Sequence, residues 1–71
     1  MQIAGRKLKA LRLQAGLSRS RFARLADLDR STVEKAENGK GVSELTVAKL
    51  TKALSVSLKS DVSIEDLKVD V

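Results

Sequence analysis

At 71 residues the chain has room for one small domain spanning 1–71, and a core of that size rarely supplies more than about 3–5 kcal/mol unaided. It contains no Cys and no His, which excludes disulfides and thiolate metal sites and removes the commonest metal ligand and general base. The net charge of +5 is uneven: residues 1–40 carry ten Lys/Arg against four Asp/Glu, and residues 41–71 carry four Lys against five acids. A basic front half suits a polyanion, though a merely solvated surface has the same charge signature.

No segment approaches the ~20 apolar residues of a membrane span. The N-terminal MQIAGRKLKAL lacks the apolar run of a signal peptide. No membrane partner is therefore expected, and the cytoplasm is the expected location. Phe22 is the only aromatic residue. Stacking platforms of the kind used on RNA and single strands are thus out of reach, and duplex DNA is the better polyanion. No cofactor and no metal are expected. With scattered carboxylates and no His or Cys, neither is an enzyme. Stability must come from well-formed helices and from oligomerisation, so a homodimer is expected.

The first helix is expected over Gln2–Ala15, because Ala4, Leu8, Leu11 and Ala15 recur at helical spacing, and Gly16 is a natural stop. Ser18 caps a second helix, Arg19–Ala26. Leu17 and Phe22 have the spacing of a hydrophobic staple, and Phe22, Ala23, Leu25 and Ala26 form its core side. Asp29 caps a third helix, Arg30–Glu37. At roughly 100° per residue, Asp29, Val33, Ala36 and Glu37 fall on one side of it. Arg30, Ser31, Glu34, Lys35 and Asn38 fall on the other. Asn38-Gly39 closes it with turn chemistry. Ser43 caps a fourth helix, Glu44–Leu54, with Val47, Leu50 and Leu54 inward. Beyond it, Val56–Lys59 alternates like a strand, while Ser63–Lys68 reads as a short capped fifth helix. A strand or arm crossing to a partner is the alternative for this tail.

Two short helices joined by a tight turn, the second with a broad polar face, are what DNA readers place in the major groove. The stretch LSRSRFARLADLDRSTVEKAENGK resembles the helix-turn-helix of the phage-repressor-like family, the Cro/C1 or XRE type. The resemblance rests on Leu17-Ser18, Ala23, Leu28, Arg30-Ser31-Thr32-Val33 and Glu37-Asn38-Gly39, and covers about residues 3–54. It implies an all-α, compact, four- to five-helix lambda-repressor-like domain (core 3–54) whose third helix lies in the major groove, followed by a short tail (55–71). Family members are repressors, restriction-modification controllers or antitoxins. Two departures stand out. The family often has Gly in the turn where this chain has Asp27, a residue that tolerates the left-handed region better than most. It also often has Gln and an acid where this chain has Arg19 and Arg21.

Arg19 and Arg21 fall in the first turn of helix two, where cations oppose the helix dipole. A phosphate at that end would reverse the sign, and solvated surface arginines are the alternative. Arg30, Ser31, Glu34 and Lys35 are the base-edge candidates: Arg30 can grip guanine O6 and N7 bidentately and Lys35 less rigidly. Glu34 can accept from cytosine, or can simply pair with Arg30 one turn earlier. The family corner that contacts phosphate corresponds to Asn38, and Lys40 follows it. The family also implies an internal pair between Arg12 and Glu37. Such a pair would satisfy a carboxylate on the inner side of its helix. The tail residues Val56, Leu58, Val62, Ile64 and Leu67, with Val69 and Val71, exceed what a short tail can bury. They either form a dimer interface, the favoured reading, or cover the base of helices one and four.

The expected function is a sequence-specific duplex DNA-binding regulator, a dimeric repressor reading a near-palindrome with residues 30–37. One alternative is an antitoxin that binds its own promoter and uses its tail on a toxin. Another is a protein-interaction module that has lost DNA binding.

Overall fold

Four helices each end on a residue in the left-handed region, and those four turns shape the molecule. The computed structural model describes residues 2–69. Its elements are α1 (Gly5–Gln14), α2 (Arg19–Leu25), α3 (Arg30–Glu37), α4 (Glu44–Leu58) and a single 3₁₀ turn, Ile64–Leu67. The fold is all-α, with no strand among the described residues.

After α1, Gly16 takes φ +73°, and the amides of Gly16 and Leu17 donate to the carbonyls of Leu13 and Arg12 at 3.0 and 3.1 Å. After α2, Asp27 takes φ 57°, with Asp27 and Leu28 donating to Arg24 and Ala23 at 3.2 and 2.8 Å. Gly39 (φ +78°) repeats the motif after α3, with the amides of Gly39 and Lys40 on Ala36 and Lys35. These paired bonds satisfy carbonyls that a helix end leaves without partners. Lys59 (φ 53°) closes α4 in the same conformation. Two helix starts are fixed as expected: Ser18 Oγ accepts from the Arg21 amide and Ser43 Oγ from the Thr46 amide, each at 3.1 Å.

The core joins every element. Ile3, Leu8, Phe22, Val33, Val47, Leu50, Leu54 and Leu67 are its largest fully buried side chains. Burying a side chain of this kind contributes about 1.5–3 kcal/mol.

Five expectations need correction. Helix one starts at Gly5 rather than Gln2, because the Ala4 amide donates to the Leu67 carbonyl (2.6 Å) and Ile3 is sunk in the core. Leu25 lies outside the core at 54 % exposure, on the solvent side of its short helix. Asp29 occupies the cap position of α3, yet its side chain makes no capping bond. Residues 56–59 are not a strand: residues 56–58 belong to the last turn of α4 and Lys59 is its cap. Ser55 Oγ ties the turn down by accepting from the Val62 amide at 2.9 Å. Finally, Leu67 is fully buried in its own chain and so is not available to a partner, and Val62 and Ile64 pack partly against the same core. The tail covers the base of α1 and α4 through these three residues. Val56 remains exposed and Leu58 half-buried, while Val71 lies outside the described residues.

Candidate nucleic-acid interface

The third helix is gripped from three sides, and this fixes what it can present. Val33 and Ala36 are fully buried against the neighbouring helices. Its C-terminal end meets the start of α1 at Gly5, the one place where the absence of a side chain is required. A Cβ there would stand 2.6 Å from the Glu37 carbonyl carbon and 3.0 Å from the Ala36 oxygen, and would collide with the Glu37 oxygen. The contact sets the distance between α1 and α3.

The third grip is ionic. The Glu37 side chain is 2 % exposed and that of Arg12 is 7 %. Arg12 Nε donates to Glu37 Oε2 at 2.7 Å and Arg12 Nη2 to Oε1 at 3.4 Å, while Arg12 Nη1 donates to the Leu17 carbonyl at 2.8 Å. One guanidinium therefore clamps α1, the α1–α2 loop and the end of α3. Arg19 Nε adds a bond to Glu37 Oε1 at 3.2 Å. This Glu37 contact makes the first residue of α2 part of the clamp, a role its sequence position gave no sign of. The sequence signal was ambiguous because a cation in the first turn of a helix reads equally as a phosphate ligand. At 39 % side-chain exposure, Arg19 still reaches the surface.

What remains outward is a polar, predominantly cationic face. Arg30, Ser31, Lys35, Asn38 and Lys40 are exposed, and Glu34 is half-exposed. Ser31, Glu34, Lys35, Asn38 and Lys40, together with Thr32, border one shallow depression. Arg30 instead borders the adjoining one with Arg19, Ser18, Ser20 and Lys9. The structure thus brings Arg30 beside the start of α2. It adds Lys9, Ser20 and Thr32 to the surface, three residues that helical spacing alone did not single out. Arg21 borders a further depression with Ser18, Ser20, Arg24 and Leu25, and Ser18 and Ser20 also border that of Arg19 and Arg30. Glu34 takes up the pairing alternative: Arg30 Nε donates to its Oε1 at 3.2 Å. The α2 start is capped by the neutral Ser18 and has no acid in its first turn, so cationic side chains stand beside its positive end, a setting that favours phosphate; at the α3 start the cap residue Asp29 supplies a negative charge.

A cationic face on a two-helix unit with a tight left-handed turn defines a helix-turn-helix protein. The chain matches the family model for the helix-turn-helix domain over residues 3–61. It is also similar to the restriction-modification controller protein C.AhdI from Aeromonas hydrophila. The two are 36 % identical and superpose with a TM-score of 0.73, over 87 % of this chain and 86 % of that one. A search of curated protein sequences gave no match. The chain belongs to the helix-turn-helix family of Cro/C1-like, XRE-type regulators. It is a DNA-binding transcription regulator, and its partner is double-stranded DNA. No helix among the described residues is long and apolar enough to cross a membrane.

Proposed function

We propose that the protein is a non-catalytic, cytoplasmic repressor that binds as a homodimer to a near-palindromic operator and occludes a promoter. The observation that carries this reading is the exposed set Arg30, Ser31, Lys35, Asn38 and Lys40, borne on a helix whose opposite side is buried and ion-paired. Arg30 and Lys35 meet base edges, Ser31 supports them, and Arg19, Asn38 and Lys40 take phosphate. In this scheme phosphate contacts set position and base contacts set sequence. Arg21, which borders Ser18 and Ser20 from the side of Arg24, serves a flanking phosphate.

Pairing follows from function, since a single short recognition helix reads few bases and two-fold operators supply half-sites one helical turn apart. With Leu67 internal, Val56 and Leu25, two of the exposed large apolar residues at 70 % and 54 %, line one groove between α2 and α4. A second copy covers that surface in the proposed dimer. The likeness to C.AhdI favours a second reading, in which the regulated genes are those of a restriction-modification pair.

The test is binding to the DNA upstream of the protein's own gene, titrated against salt, with scrambled duplex as control. Tight binding that discriminates against the scramble and weakens steeply with salt is expected. The double charge reversal Arg30→Glu/Lys35→Glu should abolish it. Equal, weak binding to both duplexes would refute the operator assignment. Retained binding by the charge-reversed protein would refute the recognition helix.

A further inference from the structure

The Arg30–Glu34 pair bears on which base the protein selects. Arg30 is the first residue of α3, and its Nε, rather than a terminal nitrogen, faces Glu34 Oε1 at 3.2 Å. A guanidinium is a flat fork with five N–H donors. Fixing Nε toward the next turn of its own helix leaves the end-on edge, Nη1 and Nη2, pointing along the side chain and away from Glu34. That edge offers two parallel donors, the match for guanine O6 and N7. It is also open, because the Arg30 side chain is 63 % exposed. An arginine on an unrestrained stem would spread over many rotamers and lose that freedom on binding, whereas a side chain ordered beforehand loses less. Glu34 stands on a face that meets phosphate, where a carboxylate lowers affinity, and its carboxylate is turned to Arg30. A group that weakens binding to every sequence while sharpening the choice among them is how selectivity is built.

We propose that Glu34 is a positioning residue. Without touching DNA itself, it holds the Arg30 guanidinium end-on toward the major groove, so that the protein selects guanine at the base Arg30 meets. This rests on the DNA-reading role of α3 proposed above.

The experiment is selection from a randomised duplex library by the intact protein, with wild type, Arg30→Ala, Glu34→Ala and Glu34→Gln run in parallel. Wild type is expected to enrich a motif with guanine at one position per half-site, and Arg30→Ala to lose preference at that position. Glu34→Ala should bind random duplex more tightly, because a negative charge is gone. Its guanine preference at the same position should fall by about two- to fivefold, the range a solvent-screened pair allows. Glu34→Gln removes the same charge but keeps an oxygen that accepts from Nε, so it should gain the same general affinity and retain most of the guanine preference. All variants should melt with wild type, since the pair is solvent-exposed. The proposal is overturned if Glu34→Ala keeps full guanine preference, if Gln loses as much as Ala, or if Glu34→Ala relaxes a different position from Arg30→Ala. A wild-type protein that enriches no motif would instead sink the DNA-reading role itself, and the proposal with it.

Discussion

Replacing Glu37 with Ala tests the joint between α1, α2 and α3. The substitution strips Arg12 of its bonds from Nε (2.7 Å) and Nη2 (3.4 Å), leaving the Nη1 bond to Leu17 on a guanidinium whose side chain is 7 % exposed. A buried charge deprived of its partner costs about 3–5 kcal/mol. Arg19, at 39 % exposure, adds little, because solvent-screened pairs contribute only about 0–1 kcal/mol. Small domains hold about 0.05–0.15 kcal/mol per residue, which puts this one near 4–11 kcal/mol in total. The single substitution therefore removes a large share of the stability. At about 4–8 °C per kcal/mol for a domain of this size, Tm should fall by at least about 12 °C. Far-UV circular dichroism on heating, with urea titration beside it, reads this directly. The double variant Arg12→Met/Glu37→Leu removes both charges and should recover most of the loss, as apolar replacement of a buried pair often does. DNA affinity should fall in Glu37→Ala as the end of α3 loosens. Melting of Glu37→Ala within about 3 °C of wild type, less than 1 kcal/mol at this size, would refute the clamp. A double variant as weak as the single one would show that packing, not charge, is at stake.

Gly5→Ala should destabilise by about 1–3 kcal/mol through overpacking against Glu37, outweighing the usual helix gain of about 0.5–1 kcal/mol; a raised urea midpoint would contradict the close approach. Lys59→Gly should raise the midpoint, because the left-handed region costs a residue with a Cβ about 1–2 kcal/mol that Gly does not bear; a lowered midpoint would contradict this. Leu67→Ala should cost about 2–5 kcal/mol when measured by urea titration, whereas Val56→Glu should leave the melt nearly unchanged and shift sedimentation toward the monomer. Reversal of those two outcomes would restore the tail as the interface.

Helix starts and stops were legible where one side chain carries the chemistry. Ser18 and Ser43 each supply an oxygen to an orphan amide, Gly16 and Gly39 accept positive φ, and Asp27 does the same at a turn. Lys59 was not legible, since nothing in its side chain favours that conformation. It is held there by a loop that Ser55 and Val62 anchor from elsewhere. The alternation at Val56–Lys59 misled for a related reason: a period of two over four residues is weaker evidence than the helical spacing of Val47, Leu50 and Leu54, which α4 carries on for one more turn. Leu25 misled because a seven-residue helix has too few turns for spacing to assign its edge residues. Gly5 carried no signal: it fell inside the expected helix, and the need for a missing side chain there depends on the Glu37 backbone that packs against it.

The candidate interface divides along the same line. Which residues of α3 face outward followed from helical geometry, because the buried side is fixed by Val33 and Ala36. Which outward residues act together did not follow, because that depends on the crossing of α2 and α3. The crossing puts Arg30 beside Arg19 and Lys9 rather than beside Lys35. Arg19 links the two halves of the problem. It bonds the carboxylate that locks α3 in place, and it stands on the surface where phosphate would arrive. A helix already clamped at its C-terminal end, with Arg30 pre-ordered at its N-terminal end, needs little rearrangement to meet a groove. Less of the interaction energy then goes into ordering the protein, and more remains to separate one sequence from another.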